Sequence, residues 1–213
     1  EFLTAEEAAE FEQQQATQRN ADRRDGGAAQ DVERAYNDFW WDYGSNVVGD
    51  RRTSLVVDPP DGRIPSRTEA VRERQKARRE ARRGRGPSDS WVDRSLWERC
   101  IVGFNSGPPM FPSAYNNNFQ LFQTPDHVVI LNEMVHAARV VPIDGGQHVS
   151  ETVRQWMGNS RGHWEGDTLV VDTTNFTAAS ITPYIQGSGE AMHLVERFTR
   201  IDADTLLYEF TVD

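Results

Sequence analysis

His193-Leu-Val-Glu-Arg-Phe-Thr-Arg-Ile201, followed by Asp202-Ala-Asp204 and then Leu206-Leu-Tyr-Glu-Phe-Thr-Val212, decides the fold of this chain. In the first run Leu194, Glu196, Phe198 and Arg200 oppose Val195, Arg197, Thr199 and Ile201. That period of two sends successive side chains to opposite faces of a strand. The Asp-Ala-Asp turn returns the chain along the second run. Upstream, His163-Trp-Glu-Gly-Asp-Thr-Leu-Val-Val171 reads as strand, tight glycine turn, strand, and Asp144-Gly145-Gly146 as a turn. The apolar runs 127–132 and 135–143 form either one bent strand or two. Successive hairpins of this kind predict a mainly β domain over residues 96–213, an antiparallel meander closing into a small barrel or sandwich. The chain stops directly after a strand, so the natural protein is expected to continue past Asp213.

Residues 1–95 read differently, as a polar, partly helical N-terminal arm. Thr4 with Glu7 three residues on has the spacing of a capping box. The helix that follows carries few large apolar residues, is marginal alone, and is interrupted at Gly26-Gly27. Beyond it Tyr36, Phe39, Trp40 and Tyr43 fall at i, i+3, i+4 and i+7, one helical face. That face either docks on its own domain or anchors in a partner's pocket. Residues 53–57 read as a short strand, and Asp58-Pro59-Pro60-Asp61-Gly62 as a turn. Residues 67–83 read as a helix ended by Gly84-Arg85-Gly86-Pro87.

The chain of 213 residues has 23 basic and 33 acidic residues, net −10, which disfavours a free polyanion as partner of the whole. Lys76 is the sole lysine. The arginine bias reflects either a GC-rich genome or interfaces that use the planar guanidinium fork. Between Arg63 and Arg85, ten cations face Glu69, Glu73 and Glu80, a local +7 against −17 elsewhere. The arginines there surround the helix, and Arg74, Arg78 and Arg82 are candidate partner-binding residues. No aromatics interleave, so protein or solvent, rather than nucleic acid or lipid, is expected opposite them. Cys100 has no second cysteine to pair with in this sequence. No run approaches the roughly 18 apolar residues of a membrane span, and the start at Glu1 suits a processed terminus or a trimmed chain.

Several segments resemble a large family of uncharacterised exported bacterial proteins, common in acidobacteria and gemmatimonads. They are Asp58-Pro-Pro-Asp-Gly-Arg-Ile-Pro65, Glu98-Arg-Cys-Ile101, Tyr115-Asn-Asn-Asn118, Asn132-Glu-Met-Val-His-Ala-Ala-Arg139, Ser160-Arg-Gly-His-Trp-Glu-Gly-Asp-Thr-Leu-Val-Val171 and Glu196-Arg-Phe-Thr-Arg200. The likeness covers most of residues 36–213. It implies export, to the periplasm or beyond, and implies no activity. It also implies a continuation bearing a Cys-His pair, in which Cys100 would find a disulfide partner.

Three patterns bear on chemistry. Gly158-Asn-Ser-Arg-Gly162 fits the G-x-S-x-G nucleophile elbow, with Asp172 and His193 as nominal triad partners. That elbow needs a strand before and a helix after, whereas a hairpin follows here, so an ordinary turn is expected. Glu133-Met-Val-His136 has the Glu-x-x-His spacing of helical metal sites, but a strand there would split the pair between faces. No metal or cofactor is expected. Glu133, His136, Arg139, His193, Glu196 and Arg197 either line one end of a barrel interior, as pocket residues able to do acid–base work, or form cross-strand salt pairs on a solvated face. Trp164 reads as a core residue and residues 116–118 as a loop.

These features predict an exported, non-catalytic accessory or structural subunit. Its arm and β domain would dock on a protein partner, such as a membrane-bound complex, at the outer face of a bacterial membrane. Nucleic acid is not an expected partner. The other reading is a secreted enzyme or small-ligand-binding barrel acting on a polar, carbohydrate-like molecule.

Overall fold

Alternation of apolar and polar residues builds two antiparallel sheets. A computed structural model describes residues 2–18, 26–37, 44, 46–113, 115–179 and 189–213. The chain divides into two compact units, residues 1–67 and 68–213. Helix α3 (Glu69–Ala81) and the segment to residue 95 thus group with the sheets, where the sequence reading set its boundary at residue 96. Arg82 and Arg85, just past the end of that helix, both hold Asp93 and so tie the helix to the turn at residues 91–93.

In the second unit, β1 (Phe119–Gln123), β2 (His127–Asn132) and β3 (Ala138–Pro142) form one meander. The other comprises β4 (Asn159–Glu165), β5 (Thr168–Thr174), β6 (Leu194–Arg200) and β7 (Leu206–Val212). The arrangement is sandwich-like. Val128, Ile130 and Val141 of the first sheet pack with Leu169, Val171 and Phe198 of the second. Each such buried side chain contributes roughly 1.5–3 kcal/mol. Registers follow the alternation: Leu169 faces Phe198, Val171 faces Glu196, and Thr173 faces Leu194. Gly162 sits where β4 comes closest to the other sheet. A Cβ there would meet Val141 Cγ1 and Ile143 Cγ2 at 2.9 Å. Trp164, expected in the core, is 43% exposed, because it lies on the last exposed turn of β4 beside the Gly166-Asp167 loop.

Two readings of the chain change. Residues 133–137 are neither strand nor α-helix. A short 3-10 turn, Met134–His136, closes the β2–β3 hairpin, with Val135 and His136 in the left-handed region (φ 52° and 51°). The Asn132 N–H donates to the Ala137 carbonyl at 2.9 Å and seals it. Residues 53–57 form no strand. The Ser54 hydroxyl accepts from Val56 N–H and donates to the Gly62 carbonyl at 2.8 Å, which curls the segment over the 58–62 turn.

In the first unit, α1 (Ala5–Gln18) starts with the expected capping box: Thr4 N–H donates to Glu7 Oε2 at 2.8 Å, and Glu7 N–H to Thr4 Oγ1 at 3.2 Å. Those bonds, the backbone one first, hold the Glu7 carboxyl below its ordinary pKa. Helix α2 spans Ala28–Asn37 and takes in Tyr36. Phe39, Trp40 and Tyr43 lie outside the described residues. Helix α3 (Glu69–Ala81) belongs to the second unit, is N-capped by Thr68, and buries no side chain. No helix among the described residues is long and apolar enough to cross a membrane.

Candidate functional site

Period-two geometry distributes the six pocket candidates. Glu196 is an inward residue of β6, so Arg197 must point outward, and His193 shares the outward parity. Arg139 of β3 reaches across the core with its side chain 7% exposed, onto a Glu196 side chain that is 0% exposed. Its Nη2 donates to Glu196 Oε1 at 2.9 Å and its Nη1 to Oε2. Tyr208 of β7 donates its hydroxyl to Glu196 Oε1 at 2.7 Å and accepts the Met110 N–H at 3.0 Å. Burial acts to lower the Arg139 pKa, and the Glu196 charge and bonds overcome it, holding the guanidinium above its ordinary value. Burial, and then the Glu196 charge, pushes the Tyr208 phenol far up. This network joins the sheets, with Glu196 accepting three hydrogen bonds and Tyr208 both donating and accepting.

The other candidates lie elsewhere. Glu133 and His136 are exposed at the hairpin turn, where Glu133 Oε2 accepts from Asn118 Nδ2 at 2.9 Å. Arg197 donates to Glu165 Oε2 at 2.7 Å on the outer face. His193 Nε2 meets Asp172 Oδ2 at 2.7 Å, and His148 Nε2 meets Asp172 Oδ1 at 2.8 Å. Asn159 Oδ1 takes Val149 N–H and His148 Nδ1, both at 3.1 Å. The six residues therefore line no common pocket. Asp172 and His193 do form a pair, but Ser160 faces inward in register with Thr173, its hydroxyl 2.9 Å from Thr173 Oγ1. Serine and dyad lie on opposite faces of one sheet, so the G-x-S-x-G segment builds no triad.

The region that residue-by-residue reading missed surrounds residues 91–101. The Asp93 carboxylate, 1% exposed, accepts from Arg82 Nε at 3.1 Å and Arg85 Nη2 at 2.7 Å. Arg82, a candidate partner contact, is thus held within its own chain; the side chains of Arg74 and Arg78 are solvent-exposed on α3. Ser95 and Glu98 cap the next turn: Ser95 N–H and hydroxyl donate to Glu98 Oε2 at 2.9 and 2.7 Å. Arg94 adds a bond to Glu98 Oε1 at 3.0 Å. Those contacts, the Ser95 hydroxyl foremost, bring the Glu98 carboxyl down to about 2. The framed turn presents Trp91, Trp97 and Arg99. Arg99 Cζ stands 4.6 Å from the Trp91 ring centroid and 5.7 Å from that of Trp156. Trp156 and Ile101 open onto a cleft of about 540 Å³ that runs along β3 to Asn159 and Ser160.

Fold and surface together define a two-sheet antiparallel β protein with an exposed tryptophan–arginine face. No protein-family model, curated protein or solved structure matches the chain.

Proposed function

We propose that the chain is an exported, non-catalytic accessory or structural subunit that docks on a protein partner at the outer face of a bacterial membrane. One observation carries this reading. In residues 2–67, Ala8 is the single buried hydrophobic side chain among the described residues, while Phe2, Val32, Leu55, Val57 and Ile64 are each more than half exposed. A segment with so little core does not offset the roughly 1–2 kcal/mol per residue that ordering costs, so contacts with another molecule are what would order it. Export and the outer-face position rest on the family resemblance.

Hydrogen exchange on the isolated chain tests the reading. Rapid exchange over residues 2–67 beside protected β strands supports it. Protection of that segment in the isolated chain overturns it.

A second reading, a secreted enzyme or small-ligand binder for a polar, carbohydrate-like molecule, draws on the cleft beside β3, whose volume is in the range of small-molecule sites. Of the six pocket candidates only Arg139 lines it. An Asn159→Ala variant that left every ligand signal unchanged would count against it.

A further inference from the structure

We infer that Trp91, Arg99 and Trp156 form the seat for an acidic peptide segment of a protein partner, an inference that rests on the docking reading above. Arg99 carries the argument. Its guanidinium stands over two indole rings, at 4.6 and 5.7 Å from their centroids. Contact with two rings restrains the guanidinium, and its N–H groups remain donors for a further partner. Arg72, Arg82, Arg85, Arg94, Arg139 and Arg197 each hold a carboxylate of their own chain. Arg99 does not: among the described residues no carboxylate lies within ion-pair distance of it, in a chain of net charge −10. A guanidinium restrained between two indoles and left without an internal acid suits a carboxylate from outside.

The surroundings select the kind of molecule that brings the carboxylate. Trp91 is 67% and Trp97 50% exposed, and the Trp97 ring is steadied edge-on by Phe104 at 6.2 Å. Tryptophan and arginine together are the residues most enriched where protein interfaces concentrate their binding energy. The seat is also rigidly framed. Asp93 anchors one side through Arg82 and Arg85, and the Ser95–Glu98 cap fixes the turn between. Gln155 donates to the Asn175 carbonyl at 2.9 Å and accepts from Thr177 N–H at 3.1 Å, which holds Trp156 in place. Such preorganisation lowers the ordering cost of binding. The cationic helix α3, held to Asp93 two residues from Trp91, adds potential of the sign that draws an acidic partner. The occupant is an extended segment with one Asp or Glu for Arg99 and flanking apolar side chains for the indoles.

A random peptide library displayed on phage and panned against the whole chain tests this, with the Arg99→Lys chain panned in parallel. The expected result is enrichment of peptides that join Asp or Glu to Leu, Phe or Trp. Synthetic versions should shift the indole N–H signals of Trp91 and Trp156. Arg99→Lys keeps the charge and loses the fork, and should weaken binding about tenfold, as should Glu→Gln in the peptide. Trp91→Ala should do the same with the melting temperature unchanged. Absence of any peptide that depends on Arg99 overturns the inference. So does binding of oligogalacturonate at these indoles without peptide binding. The exchange experiment reads residues 2–67, so this seat can fail while the docking reading stands, and the reverse.

Discussion

Arg139 Nη2 donates to Glu196 Oε1 at 2.9 Å across the space between the two sheets, the charged contact that spans the sandwich interior. Removing one member leaves the other charge buried without its partner, which costs about 3–5 kcal/mol. Glu196→Gln and Arg139→Met should each lower the urea midpoint accordingly, with an unchanged m-value. The double variant Arg139→Met/Glu196→Leu should recover most of the loss, because two apolar residues replace the pair without stranding a charge. Equal losses in single and double variants would refute this account.

Acid should loosen the turn that presents Trp97 late. The Glu98 carboxyl is held down to about 2 in the folded chain, first by the Ser95 hydroxyl. A depressed folded pKa gives stability that is full above the unfolded value, about 4.3, and is lost as pH falls through the folded value. Amide protection over residues 95–100, taken relative to the intrinsic exchange rate at each pH, should therefore hold at pH 5 and fall towards pH 2. Ser95→Ala should shift that loss of protection to higher pH.

Gly162→Ala should destabilise the fold by about 1–3 kcal/mol through overpacking. The new methyl would lie 2.9 Å from the side chains of Val141 on the facing sheet and of Ile143 just past its end. Gly145→Ala, with nothing within 4 Å but a φ of +72°, should cost less and for a backbone reason. Chemical denaturation of both variants separates the two effects.

Asp172→Asn should act locally. It weakens the contacts to His148 Nε2 and His193 Nε2 that pin the 144–158 loop and the start of β6 to the outer face. We expect faster exchange at Val149 and His193, by roughly tenfold, with the global midpoint shifted by no more than about 1 kcal/mol. A global loss of several kcal/mol would show that the cluster belongs to the folding core.

Legibility differed between elements for physical reasons. The strand at 194–200 was readable because one face is buried, which imposes a period of two on side-chain character; the strand at 206–212 and the hairpin at 159–174 were readable from their apolar runs and the turns beside them. β1 was not, since Phe-Gln-Leu-Phe-Gln has no β-branched residue and is exposed along its length. Residues 53–57 carry strand-forming types, but the Ser54 hydroxyl captures the local backbone instead. The Thr4–Glu7 box is purely local and was fully legible. Among site residues, Asp172 and His193 were named together, but their pairing depends on sheet register, as does the separation of Ser160 from them. The Arg99 stack went unread because Trp156 reaches it from a distant loop. The available signal was Trp91, Trp97 and Arg99 crowded into a stretch without regular structure.

The double grip on Asp93 also sets what kind of object α3 is. The helix buries none of its side chains, and the ion pairs to Asp93, from its C-cap Arg82 and from Arg85 just beyond, fasten its C-terminal end to the turn at residues 91–93. Held there, its cations keep a constant address relative to Trp91 and Arg99. Released, the same cations would hang from a Gly-Arg-Gly-Pro tether and adhere to any polyanion within reach. One buried carboxylate thus separates a directional signal from indiscriminate stickiness, and a loss at that position would show as promiscuity before it showed as unfolding.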